Sequence, residues 1–134
     1  MTSRQVTQYI CDHCGKRALS KGAMTLHEQR CTMNPNRHCR MCSLLDVDQE
    51  PMAELVACLP VAPATGEWPE EYEERCRAAL PTLREKAHDC PVCIFAAIRQ
   101  AKIPAEVTGF DFAVESTAAF EKVNARHSGR EGYL

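Results

Sequence analysis

Seven of the nine cysteines and one of the five histidines stand at intervals that suit metal ligation. Cys11, Cys14, His27 and Cys31 follow the pattern C-x2-C-x12-H-x3-C. Zinc takes four ligands at the corners of a tetrahedron. Two cysteines on a tight turn, joined by two residues one helical turn apart, offer that geometry directly. Cys39 with Cys42, and Cys90 with Cys93, form two further C-x2-C pairs with 47 residues between them. Two such pairs in a chain without a disulfide-type setting read as a four-cysteine zinc site, although the gap exceeds the usual 15–20 residues. The expected cofactor is two zinc ions. His38 and His88 sit beside the pairs and are the available substitutes for a cysteine, whereas His13, inside the first knuckle, reads as a solvated bystander. Cys58 and Cys76 fall on apolar faces and read as small core residues rather than as a redox pair.

These ligands need elements to carry them. His27 and Cys31 are four apart, so a helix aims both the same way. A short hairpin around Thr7–Ile10 and Lys16–Leu19 would precede it. The run TMNPNR at 32–37 reads as a turn. Asp48 looks like an N-cap for a helix lined by Met52, Leu55, Val56 and Leu59. Pro69 suits the start of another, with Tyr72, Cys76, Ala79 and Leu80 on one face. Pro81 is expected to kink or break it. A further helix from Pro91 would bury Ile94, Ala97, Ile98 and Ala101 and end before Pro104, with Cys90 and Cys93 at its N-terminus, where the helix dipole favours thiolates. The final segment has a weaker face of Phe112, Ala119, Phe120 and Val123, and residues 127–134 read as a polar tail with an exposed Tyr133. The expected fold is mainly α, small and zinc-stabilised: finger and linker at 1–36, a four-cysteine helical domain at 37–104, and an amphipathic helix and tail at 105–134.

The stretch YICDHCGKRALSKGAMTLHEQRC resembles the zinc-finger family with two cysteines and two histidines, in the variant whose last histidine is cysteine. Tyr9 and the pair Gly15-Lys16 share in the likeness, which implies a ββα fold for residues 9–31. Ala18 and Met24 stand where the family has an aromatic and a leucine, so the finger core is expected to be less well packed, with Leu19 turning inward to compensate. The family's base-reading positions correspond to Ser20, Ala23 and Leu26, none of which reads guanine or adenine. Gly22 also weakens the helix start. The order NPNRHCRMC…CPVCIFAAIRQA resembles, in a general way, small zinc proteins encoded by bacterial viruses. That likeness implies no activity, and would put the protein in a host cytoplasm or a virion.

A chain of 134 residues buries a small share of its surface, so metal staples would help it fold. No signal-like or membrane-length apolar run is evident, and the expected compartment is a reducing cytoplasm. The net charge of −2 conceals an asymmetry. Residues 1–42 hold seven basic and two acidic side chains, and the remainder carries −7. Lys16, Arg17, Lys21 and Arg30 could therefore meet phosphates without reading sequence, or the opposite charges could simply attract one another within the molecule.

Signatures for chemistry are missing. The deaminase pattern needs H-x-E and P-C-x-x-C, and His27-Glu28 lacks the second histidine of a metalloprotease helix. Paired knuckles resemble the scaffold of zinc-supported His-Asn-His nucleases, but residues 43–87 contain neither histidine nor asparagine. Glu70, Glu71, Glu73 and Glu74 read as acids complementing a helix start. The resulting expectation is a non-enzymatic module with a protein partner, no membrane and no small-molecule substrate. Sequence-nonspecific nucleic-acid binding through the basic finger is the alternative.

Overall fold

The chain is described here by a computed structural model covering residues 1–131, with side chains to Arg126. Tyr133 lies outside the described residues. Strand β1 (Tyr9–Ile10) pairs antiparallel with β2 (Arg17–Ala18), matching Tyr9 to Ala18, and helix α1 (Lys21–Arg30) packs on both. The turn between the strands closes because Gly15, at φ +78°, adopts a left-handed conformation that glycine takes without strain. Ser20 offsets the weak start at Gly22: its hydroxyl accepts from the Ala23 amide at 3.2 Å, capping α1.

Met24 is buried, with Tyr9, Ala18 and Met33 packed against it. Leu19, expected to turn inward, is instead 66% exposed. Alternation along the strand explains this, since Ala18 faces the core and its neighbour must face out. Met33 from the linker supplies bulk that Ala18 does not.

The helical lobe consists of α2 (Arg40–Leu45), α3 (Met52–Val56), α4 (Glu70–Lys86), α5 (Pro91–Gln100), α6 (Ala105–Thr108) and α7 (Phe112–Glu131). Helix α5 is its centre and packs against α2, α3, α6 and α7. Ile94, Ala96, Ala97 and Ile98 are fully buried, beside Leu55 and Leu83 from the surrounding helices. Burial of each large aliphatic side chain contributes roughly 1.5–3 kcal/mol. Phe95 stacks on Phe112 at 4.6 Å, and the Arg84 guanidinium lies 5.5 Å from the Phe110 ring while pairing with Glu115. These contacts tie α5 and α4 to the start of α7.

Three boundaries differ from the sequence expectations. Pro51, not Asp48, precedes the first turn of α3; its carbonyl accepts from the amides of Glu54 and Leu55 at 3.1 and 3.3 Å. Proline's fixed φ and missing N–H suit that position better than a side-chain cap three residues earlier. Helix α7 continues through Glu131, so residues 127–131 are helical backbone rather than tail. Helix α4 runs unbroken for 17 residues through Pro81.

Pro81 is tolerated because it is exposed, as is Arg77, so the carbonyl that proline deprives of a helical N–H stands on the solvent side of the helix. Buried Cys76 and Leu83 anchor the helix on either side. The proline is nonetheless a cost at this site. Pro81→Ala is expected to stabilise the zinc-loaded protein by about 1–3 kcal/mol, the helix gain less the entropy that proline removes from the unfolded chain. A thermal melt reads this as a rise of several degrees; an unchanged or lower midpoint would contradict the account.

Candidate metal centres

The four finger residues converge. Cys11 is drawn into the knuckle by two backbone bonds, from its own amide to the Lys16 carbonyl at 2.8 Å and from the Gly15 amide to its carbonyl at 3.0 Å. Its sulfur accepts from the His13 amide at 3.4 Å, while the His13 ring stays exposed and outside the cluster. Cys14 Sγ lies 3.3 Å from His27 Nε2. His27 occupies the last turn of α1 and Cys31 is its C-cap, so one helix end delivers both ligands. All four donor atoms lie within 4.8 Å of one another.

The second cluster is deeper. Cys39, Cys42, Cys90 and Cys93 are each no more than 2% exposed, and their sulfurs also lie within 4.8 Å of one another. Cys39 approaches Cys90 at 3.5 Å, and Cys42 approaches Cys93 at 3.4 Å. A regular zinc–thiolate tetrahedron with bonds of about 2.3 Å has edges of about 3.8 Å, so four thiolates round one ion fit this space. Both knuckles cap helices: Cys39 precedes α2, its sulfur accepting from the Cys42 amide at 3.4 Å, and Cys90 precedes α5. The sequence reading gave only the second pair this placement.

Hydrogen bonds from Cys42, Cys90 and Cys93 hold the Cys39 thiol well below the usual thiol range. The bond to Cys39, joined by those to Cys90 and Cys93 and by burial, pushes Cys42 well above it. A metal ion binds cysteine as the thiolate, so ligation by these four side chains would release their thiol protons.

Cys90 reaches the cluster through an unusual bend. His88 and Asp89 are both left-handed, at φ 55° and 58°, a conformation costing on the order of 1–3 kcal/mol per non-glycine residue. The His88 ring is used in holding that bend, with Nε2 3.0 Å from Glu50 Oε1, and is not in the cluster. His38 is exposed and likewise outside it. The donor atoms that converge are therefore the four cysteine sulfurs, and neither histidine joins them.

Two residues around this centre were not singled out from sequence. Arg37, counted only among the basic residues, is 5% exposed. Its Nη1 donates to Cys93 Sγ at 3.7 Å and its Nε to the Arg30 carbonyl, at the end of α1, at 3.4 Å. Gln49 bridges the same region: its Nε2 donates to the Arg37 carbonyl at 2.7 Å, and its Oε1 accepts from the Cys39 amide at 2.6 Å. An arginine two residues before a knuckle was the only sequence signal, and arginine at such a place is ordinarily exposed.

The linker joins the two centres. Asn34 Nδ2 donates to the Glu28 carbonyl at 2.7 Å, Gln100 Nε2 donates to the carbonyls of Thr32 and Asn34, and the His38 amide donates to the Gln29 carbonyl. Cys58 and Cys76 join neither cluster: the Cys58 thiol donates to the Glu54 carbonyl at 3.5 Å, and burial pushes the Cys76 thiol up. Lys16, Arg17, Lys21 and Arg30 are all exposed on the finger. The Ser20 hydroxyl is occupied by its cap, and Leu26 is 47% exposed.

No helix among the described residues is long and apolar enough to cross a membrane. Comparison with protein-family models, with curated proteins and with solved structures gives no match to this chain.

Proposed function

We propose that this chain is a non-enzymatic protein-interaction or structural module whose surface is held in shape by two zinc ions. The observation that carries this reading is the completeness of both donor sets. Each offers four protein ligands, which fills a zinc tetrahedron and leaves no position for an activated water. Zinc suits donors of this kind, and the second cluster's burial suits a structural ion rather than a reactive one. The test is turnover. Zinc-loaded and chelator-treated protein, incubated with duplex DNA, single-stranded DNA, RNA and unfolded polypeptide, should differ in folding and not in product. Metal-dependent turnover of any of them would overturn the proposal.

A second reading draws on the exposure of Lys16, Arg17, Lys21 and Arg30. Such groups contact phosphates without reading bases, and binding through all four would give a salt slope of up to about −3.6 on duplex DNA. A titration against duplex and single-stranded DNA decides it, since absence of salt-sensitive affinity at low ionic strength removes this reading.

A further inference from the structure

The two lobes meet along a groove that lies beside the second metal centre and holds none of its four donors. Its rim carries Arg30 from the end of α1 and Arg40 from the start of α2, Arg37 from the linker forms its floor, and Leu44, Val92 and Phe120 line its apolar side. The volume is about 400 Å³, at the small end of pockets that enclose a ligand group. Phe120 is 49% exposed on α7, whereas its helix neighbours Ala119 and Val123 are buried in the core. Arg30 and Arg40 are exposed, and Arg37 lies beneath them, held by Cys93 and the Arg30 carbonyl. A half-exposed aromatic beside exposed guanidinium groups is the composition that dominates binding energy at protein interfaces.

Resting on the interaction reading above, we infer that this groove docks a peptide segment of a protein partner in which a large apolar side chain is flanked by carboxylates. The apolar side chain seats against Phe120, Leu44 and Val92. The carboxylates take the guanidinium groups of Arg30 and Arg40, which match a carboxylate in a two-point geometry. A nucleic-acid strand fits less well, because it needs basic groups along a track. Here the groove's own guanidinium groups gather on one rim instead of running along it. The facing wall, α7 between Phe112 and Arg126, balances Glu115 and Glu121 with Lys122 and Arg126.

The test is selection from a displayed library of random 12-residue peptides on the zinc-loaded chain, followed by affinity measurement. The expected winners carry Asp or Glu on both sides of Leu, Ile, Phe or Trp, and bind more weakly as salt rises. Phe120→Ala and Arg40→Glu should each weaken them at least tenfold while retaining two zinc ions, which verifies folding. Exchanging the peptide's acids for lysine should recover binding to Arg40→Glu. Val114→Glu, on the outer face of α7, and Leu26→Glu, on the finger, should leave affinity unchanged.

Winners lacking acids, winners indifferent to both groove variants, or no winners at all would overturn the inference. So would an oligo-dT strand whose binding falls on Phe120→Ala, since that would make the groove a nucleic-acid site. Failure of the broader reading has a different signature, the metal-dependent turnover described above. Peptides that bind only through Val114 or Leu26 would leave that reading standing and remove the groove from it.

Discussion

Replacing Cys90 with serine is expected to leave one zinc ion per chain and to melt most of α2 to α7, while the finger keeps its own ion. Cys90 is fully buried at the start of α5, the helix on which the lobe is assembled. The ion would close a loop from Cys39 to Cys93, and its apparent contribution of about 10–16 kcal/mol at neutral pH matches or exceeds the net stability of a typical domain, about 5–15 kcal/mol. Removing one ligand withdraws most of that while leaving three thiols packed together under a bend at His88 and Asp89 that the cluster no longer helps to hold.

Circular dichroism separates the two centres. Cys31→Ser should also reduce the stoichiometry to one, but it endangers only α1, of 10 residues, whereas α4 and α7 alone have 17 and 20. The serine variant at 90 should therefore lose several times more helical signal than the one at 31. Native mass spectrometry supplies the metal count. Equal losses of ellipticity would show that the lobes fold as one unit, and two ions in Cys90→Ser would refute the ligand assignment.

Arg37→Met should weaken the second zinc site by about 10–100-fold, the range for groups that support metal ligands from behind, without altering the first. Four thiolates around a divalent ion leave a net charge of −2 in a buried place, and the Arg37 guanidinium is the cation that meets it, through Cys93 Sγ. Methionine fills a similar volume and removes both the charge and the bond to the Arg30 carbonyl. Arg37→Lys keeps the charge without the two-directional fork, and should fall between. Competition with a chromophoric chelator measures each site's affinity. Equal release from Arg37→Met and the unaltered chain would mean that the guanidinium only fills space.

The contrast between these two residues shows where the sequence was readable. Cys90 announces itself, because a C-x2-C knuckle is a local device and its spacing survives in any printed sequence. Arg37 does not, because its meaning depends on a sulfur 56 positions away. The first four-donor cluster was legible for the same reason as the knuckles, with Cys11, Cys14, His27 and Cys31 all within one short stretch. Leu19 was misjudged because the strand's alternation, not the size of the vacancy beside Ala18, sets which way a side chain points.

Pro81 and Asp48 were misread through local rules that tertiary packing overrode. A proline is a helix breaker when nothing else holds the helix, but Cys76 and Leu83 are fully buried on either side of Pro81 and fix α4 through it. Asp48 had the chemistry of a cap, yet Pro51 already provided a start, and the nearby polar side chain that the fold employs is Gln49, directed at Cys39 and Arg37.

The sequence by itself determined which atoms can bind metal: eight donors in two sets, named by intervals that a turn or a single helix enforces on neighbouring residues. Only the tertiary structure decided that the two distant cysteine pairs meet sulfur to sulfur, that His38 and His88 stay out, and that Arg37 is buried against the cluster with the groove beside it. Those outcomes depend on how α5 packs and how the chain bends at His88 and Asp89, and packing between residues far apart in the chain leaves no periodic trace in the order of its residues.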